Sequence, residues 1–214
     1  MKMKKIFFLM ILLFIVVGQV HSENIINAPI KPAGYSGESE GMQLGLLGVS
    51  VRGIYSQPIG EIRNVFNPGL GAELVISYRD FLFKDLDIQL VGDYQSYTGK
   101  VDNSNKLQSI IVKLLGRYNF YIKYTPGCFY FDFGGGMANQ TLNLPSSSVN
   151  NIDPVYHLGV GYEVEIIKSL TAQAGVNCVF IPERYISNAT RDGSFINISL
   201  GINYNFLKGK NGGE

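Results

Sequence analysis

The chain has 214 residues, a length suited to one domain. Charged residues make up only 16% against 46% apolar, with 13 Tyr, 13 Phe, 25 Gly and no Trp, a composition that leans towards β structure. The near-balance of 18 Lys and Arg against 17 Asp and Glu excludes a general attraction to nucleic acid.

Residues 1–22, MKMKKIFFLMILLFIVVGQVHS, read as an export signal. Lys2, Lys4 and Lys5 give the positive start, Ile6 to Val17 is a short apolar run, and Val20 and Ser22 suit a cleavage site. No Cys follows the run, which speaks against a lipoprotein. Loss of the signal leaves 15 basic and 17 acidic residues, a net charge of −2. No later segment has 18 consecutive apolar residues, so no transmembrane helix is expected.

Residues 23–41, with their Pro, Gly and Ser, read as an N-terminal tail. From 42 to 206 eight strand-like segments follow, and 207–214 form a C-terminal tail. The first ends at Tyr55; the others start near Pro68, Leu86, Gln108, Cys128, Pro154, Leu170 and Phe195. Each runs for about 10–14 residues, where soluble strands average about 5–6. An 11-residue strand tilted about 45° rises about 25 Å, the height of an outer-membrane apolar band. The connections alternate in length. Those at 56–67, 100–107, 139–153 and 182–193 are expected to be long loops at one end, and those at 81–85, 122–127 and 168–169 shorter turns at the other.

Alternation decides which face is wet. Leu74, Ile76, Leu90, Val112, Leu114, Leu158, Val160, Ile198, Leu200 and Ile202 fall on one face of their strands. The opposite face carries Arg52, Glu73, Arg79, Asp93, Lys113, Arg117, Asp132, His157, Glu163 and Glu165. Almost no mid-strand charge falls on the apolar face. That strictness suits lipid, where a midplane Lys or Arg costs about 2–4 kcal/mol. Eight strands make a barrel whose hollow is filled by its own side chains, and charges buried there must pair. The fold expected is all-β: an eight-stranded antiparallel up-and-down transmembrane barrel with an ion network in its lumen. A soluble barrel with a solvated charged exterior is the alternative, and it leaves strand length and loop parity unexplained.

The last strand, Ser199-Leu200-Gly201-Ile202-Asn203-Tyr204-Asn205-Phe206, resembles the β-signal of bacterial outer-membrane proteins, with Ser199, Gly201, Tyr204 and Phe206 in its marked places. The segment from Gly41 to Phe206 resembles, in architecture, the eight-stranded OmpA, OmpX and OmpW class. Proteins of this class usually end at the terminal Phe, whereas LKGKNGGE follows here. The resemblance implies an outer-membrane location, lipid and the barrel-assembly machinery as partners, and an extracellular ligand met through the loops. It implies a structural or surface-interaction role, with a small channel or transporter of small hydrophobic molecules, OmpW-like, as the alternative.

Catalytic, metal and cofactor readings are weak. His157 and Ser199 share the polar face, as a barrel-borne lipid acyl hydrolase would need, but no Gly-x-Ser-x-Gly elbow occurs. His157 is expected to be a satisfied lumen residue, and no enzymatic activity is expected. One His and two distant Cys supply no metal-ligand cluster, and no cofactor is expected. Gly134–Gly136 lack the Gly-Lys-Ser/Thr of a phosphate loop and read as close packing. Cys128 and Cys178 are expected to be two buried thiols. Tyr55, Tyr78, Tyr97, Tyr121, Tyr204 and Phe206 are candidates for interfacial girdles.

Overall fold

The computed structural model describes residues 47–82, 84–122, 125–167, 169–186 and 189–206, with the side chains of 182–192 left out. The expected export signal, the tail at 23–41, the first residues of the expected barrel segment and the tail at 207–214 lie outside the described residues.

Eight strands close into one antiparallel barrel in chain order: β1 Leu47–Ile59, β2 Gly69–Tyr78, β3 Leu86–Thr98, β4 Lys106–Tyr121, β5 Gly127–Leu144, β6 Ser147–Ile167, β7 Leu170–Ile186 and β8 Ala189–Asn205. Closure satisfies every sheet edge within the chain, which a strand in hydrocarbon requires. The register fixes the barrel's dimensions. Followed strand by strand from Leu47 through Tyr78, Ile88, Gly116, Phe133, Leu158, Cys178 and Ile196, it returns to β1 at Gln57, ten residues along. Eight strands with that stagger tilt about 40° from the axis. Leu47 and Phe206 meet at the end with the short turns, where Phe206 N donates to Leu47 O at 2.8 Å.

The apolar face looks outward. Val51, Leu74, Leu90, Val112, Leu114, Val160, Leu200 and Ile202 are each at least half exposed, Leu200 at 65%. A belt of that extent is not viable in water; it is the surface of a membrane-spanning barrel. Aromatic pairs rim its turn end: Tyr78 with Phe81, Tyr118 with Phe120, Phe129 with Tyr162, and Tyr204 with Phe206. Tyr55, Tyr94, Tyr156 and Phe180 stand exposed towards the other end. Tyr97 does not join them. It is 1% exposed inside the barrel, with its ring 5.0 Å from that of Phe195, because its parity on β3 is that of Asp93 and Gln95.

Two expected long loops are strand. Residues 139–144 continue β5 and 147–153 begin β6, joined across Pro145 and Ser146. Residues 182–186 and 189–193 likewise extend β7 and β8. In the β5–β6 hairpin the alternation persists in muted form, with Ala138, Gln140 and Leu142 buried and Asn139 exposed. Hence that segment stays sheet although its composition reads as loop. The first strand also runs past Tyr55 to Ile59, and a 3₁₀ turn, Gly60–Asn64, follows it.

That turn folds into the barrel's mouth. Ile62 and Phe66 are each 1% exposed, packed with Tyr97, Leu107, Ile111, Ala138, Leu142, Val155, Val179, Ile181 and Phe195. Backbone bonds from Asn67 N to Thr98 O (2.9 Å) and from Lys100 N to Val65 O (2.8 Å) stitch it to the β3–β4 connection. The loop-end half of the lumen therefore carries an apolar plug, with Gln95, Gln140 and Asp153 also buried at that end.

Candidate functional site

Apart from Asp153, buried beside Ala138 at the loop end, the charges of the lumen lie in its turn-end half. Arg52, Glu73 and Asp93 stand side by side on β1, β2 and β3. Arg52 Nη1 lies 2.9 Å from Glu73 Oε2, and Lys113 Nζ bridges Glu73 Oε1 at 3.2 Å and Asp93 Oδ2 at 2.8 Å. A second chain lies nearer the turns. Arg117 and Asp132 are register partners on β4 and β5. Arg117 holds both Asp132 oxygens, Nε to Oδ1 at 2.7 Å and Nη2 to Oδ2 at 2.8 Å. Glu163 joins it at 3.5 Å and takes a bond from Arg79 Nη2 at 2.6 Å.

Each chain has two cations and two anions, so each is neutral. Isolated buried charges cost far more than paired ones, and this pairing is what lets eight ionised groups sit inside the barrel. Val75, Val91 and Leu115 form a buried apolar ridge between the two chains on the β2–β4 wall. Asp87 is a further buried acid, bonded by Asn119 Nδ2 at 3.0 Å. Its inward parity was visible in the sequence, and its register partner on β4 is Arg117.

The opposite wall is built from glycines. Tyr130 reaches from β5 across β6 to β7, where its hydroxyl donates to Ala174 O at 3.3 Å. A Cβ on Gly161 would fall 2.2 Å from the Tyr130 ring, and one on Gly175 would fall 2.6 Å from its hydroxyl. The Arg117 guanidinium lies 3.6 Å from the centre of the same ring. Gly134, at φ +158°, and Gly136 face Leu115 and Lys113, and a Cβ there would strike the Leu114 or Val112 carbonyl. These glycines serve close packing.

Not every expected network member is brought in. Glu165 is half-buried at the turn end of β6, beside a break in register, and makes no ion pair among the described residues. His157 is buried at 2% among the charges, yet neither ring nitrogen has a hydrogen-bond partner among the described residues. No protein group among the described residues satisfies the ring, where the sequence led us to expect one. Ser199 is buried on β8, two strands from His157, with Oγ 3.5 Å from Gly175 O. The two form no nucleophile–base pair. In the last strand Gly201 lies inward under Arg52, whose Cγ would be 2.6 Å from an added Cβ, while Tyr204 and Phe206 point outward. Cys128 is buried inside, whereas Cys178 is half-buried on the outward face between Leu158 and Ile196; both are free thiols. The expectation of two buried thiols holds for Cys128 alone, since Cys178 has the parity of its lipid-facing neighbours.

No protein-family model and no curated protein matches the sequence. Solved structures do resemble the fold. Neisserial surface protein A, NspA, aligns with a TM-score of 0.61 at 15% identity, over 75% of this chain and 97% of that one. The N-terminal β-barrel domain of Pseudomonas aeruginosa OprF aligns at 0.48 and 18% identity, over 74% and 97%. The attachment invasion locus protein Ail of Yersinia pestis aligns at 0.49 and 14%, over 76% and 99%. The chain, an eight-stranded, closed, up-and-down barrel, thus shares its fold with Neisserial surface protein A.

Proposed function

We propose that this chain is an outer-membrane barrel that acts as a closed scaffold, presenting its loop-end rim outside the cell for structural or surface-interaction roles. The observation that carries the reading is the double closure of the lumen. Paired ions fill the turn-end half, and the apolar plug with Ile62 and Phe66 fills the mouth. Between Arg52, Tyr130, Asp132, Asn177 and Ser199 the gap is too narrow for a water molecule. The apolar belt, the aromatic rims and the NspA-like fold support the location. Both barrel ends lie with the short turns, as they would with a periplasmic N-terminus. The chemistry at the rim stays free to vary, because rigid strands present it.

The pairs Arg52–Glu73, Lys113–Asp93 and Arg117–Asp132 then hold the lumen shut rather than line a path. Ser199, Gly201, Tyr204 and Phe206 serve as the assembly signal read by the barrel-assembly machinery. Catalysis has no place in this reading, since His157 and Ser199 stand apart.

Purified protein in planar bilayers tests the closure, and protease shaving of intact cells tests the orientation. Electrically silent barrels, cut in the rim in whole cells, are the expected result. Steady single-channel steps would favour the small-channel alternative and overturn the scaffold.

A further inference from the structure

At the level of the belt the wall is closed, but just above it β6 and β7 part. Tyr156 and Phe180 are the last residues the two strands pair. A Cβ on Gly135 of β5 would lie 2.8 Å from Val155 O, so the Val155 backbone turns to β5 and that of Pro154 and Tyr156 to β7. A Cβ on Gly161 of β6 would lie 2.5 Å from Ala174 O, so Ala174 and, by alternation, Phe180 turn to β6. The next hydrogen-bonded pair in this register would be Pro154 with Pro182, and neither has an N–H to give. The ladder stops there. Among the described residues, Ser147–Asp153 pair only with β5, and 184–186 only with β8. On β6 the alternation leaves the N–H and C=O groups of Ser148, Asn150 and Ile152 facing the gap, at a repeat of about 7 Å. Ser147 to Asn150 and Ile152 are exposed, and Ser147 to Ile152 include no charge and no Pro to blunt the edge.

We infer that this edge of β6 takes up an extended polypeptide segment of another protein as an added strand, antiparallel to β6. The backbone names the occupant. Donors and acceptors alternating in a straight row are the complement of a β-strand, and the antiparallel pairing is the stronger one. The flanks name its side chains. Val149 lies on the axial face, in register with Leu142 at the top of the plug, so the added strand is apolar on that side. Ser148 and Asn150 lie on the outer face, in register with Asn143 and Thr141, so it is polar on the other. A second copy of this chain does not fit. Copies in one membrane are related by an axis along its normal, and strands tilted about 40° would then cross at about 80°, too steeply for a ladder. The inference rests on the outward-facing rim proposed above.

The test uses the full chain in nanodiscs and, as probe, a blocked heptapeptide of alternating Thr and Val. Both rims are open in a nanodisc, so the result does not depend on orientation in the cell; shaving of cells tests that separately. In the free protein, amide hydrogen exchange should be fast at Ser148, Asn150 and Ile152 and slow at Asn151 and Asp153, which face β5. The peptide should slow the first three about tenfold or more. With Val towards the axis, its Thr N–H groups meet β6. N-methylation of the Thr residues should therefore abolish the effect, and N-methylation of the Val residues should spare it. Asn150→Pro removes an edge donor and no bond to β5, and should weaken the peptide about tenfold, the worth of one hydrogen bond; Asn150→Ala should leave binding unchanged. Equal effects of the two methylated peptides overturn the inference, as does no slowing by the unmodified one. Slow exchange of the three amides without peptide, rising with protein concentration, would assign the edge to a second copy and overturn it too. Should Asn150→Pro fail to fold, the two methylated peptides on the unaltered protein decide.

Discussion

Arg117 grips both carboxylate oxygens of Asp132, at 2.7 and 2.8 Å, from the neighbouring strand, and sits over the Tyr130 ring. The fork geometry is specific to arginine, so Arg117→Lys should not substitute for it. Arg117→Ala leaves Asp132 without its partner in the lumen and Glu163 with Arg79 alone, and a loss of about 3–5 kcal/mol is expected. Urea unfolding in lipid vesicles measures it. A loss below about 1 kcal/mol would mean that the second ion chain is not holding the barrel.

Tyr130 and Gly161 form a tight joint. Gly161→Ala puts a methyl group 2.2 Å from the ring and 2.5 Å from Ala174 O. Overpacking of this kind costs about 1–3 kcal/mol. Adding Tyr130→Ala to Gly161→Ala should recover part of that cost, because the clash with the ring is gone. Additive losses in the double variant would show that the ring is not what the methyl group meets.

The plug and the ion chains close the lumen in series. Ile62→Ala with Phe66→Ala should lower stability by several kcal/mol, as large-to-small changes in a packed core do. The barrel should nevertheless stay silent in bilayers, because Arg117, Glu163 and their partners still fill the half nearer the turns. Conduction by this double variant would place the whole seal at the mouth.

The two thiols face different media. A membrane-soluble maleimide is expected to label Cys178 in intact, folded protein and to leave Cys128 untouched until urea is added. Mass mapping of the labelled peptides reads the outcome, and labelling of Cys128 in the folded state would contradict the inward placement.

Strand parity was the most legible feature of this sequence. Arg52 and Lys113 sit inward and Leu200 and Ile202 outward because each charge had a fixed place in a period of two. Pairing was less legible. Lys113 reaches Glu73 two strands away, a neighbour that only the register of β2, β3 and β4 supplies. The plug was hidden for another reason. Ile110 and Ile111, or Val179 and Phe180, are apolar on both faces, and alternation says nothing where lipid lies outside and a greasy core inside. Such doublets were the available signal. The extended hairpins were masked by composition, since Asn, Ser and Thr between 139 and 151 suggest loop while Gln140 and Leu142 keep the inner rhythm.

The seam between β1 and β8 joins residues as far apart as Gly48 and Asn205. Until that last zipper closes, two strands would present bare amides to hydrocarbon, at several kcal/mol for each unmet group. Partly built sheets of this chain are therefore forbidden states in a bilayer. Insertion and closure must coincide, and a catalyst that shelters the two free margins until they meet would govern how fast the protein appears at the surface.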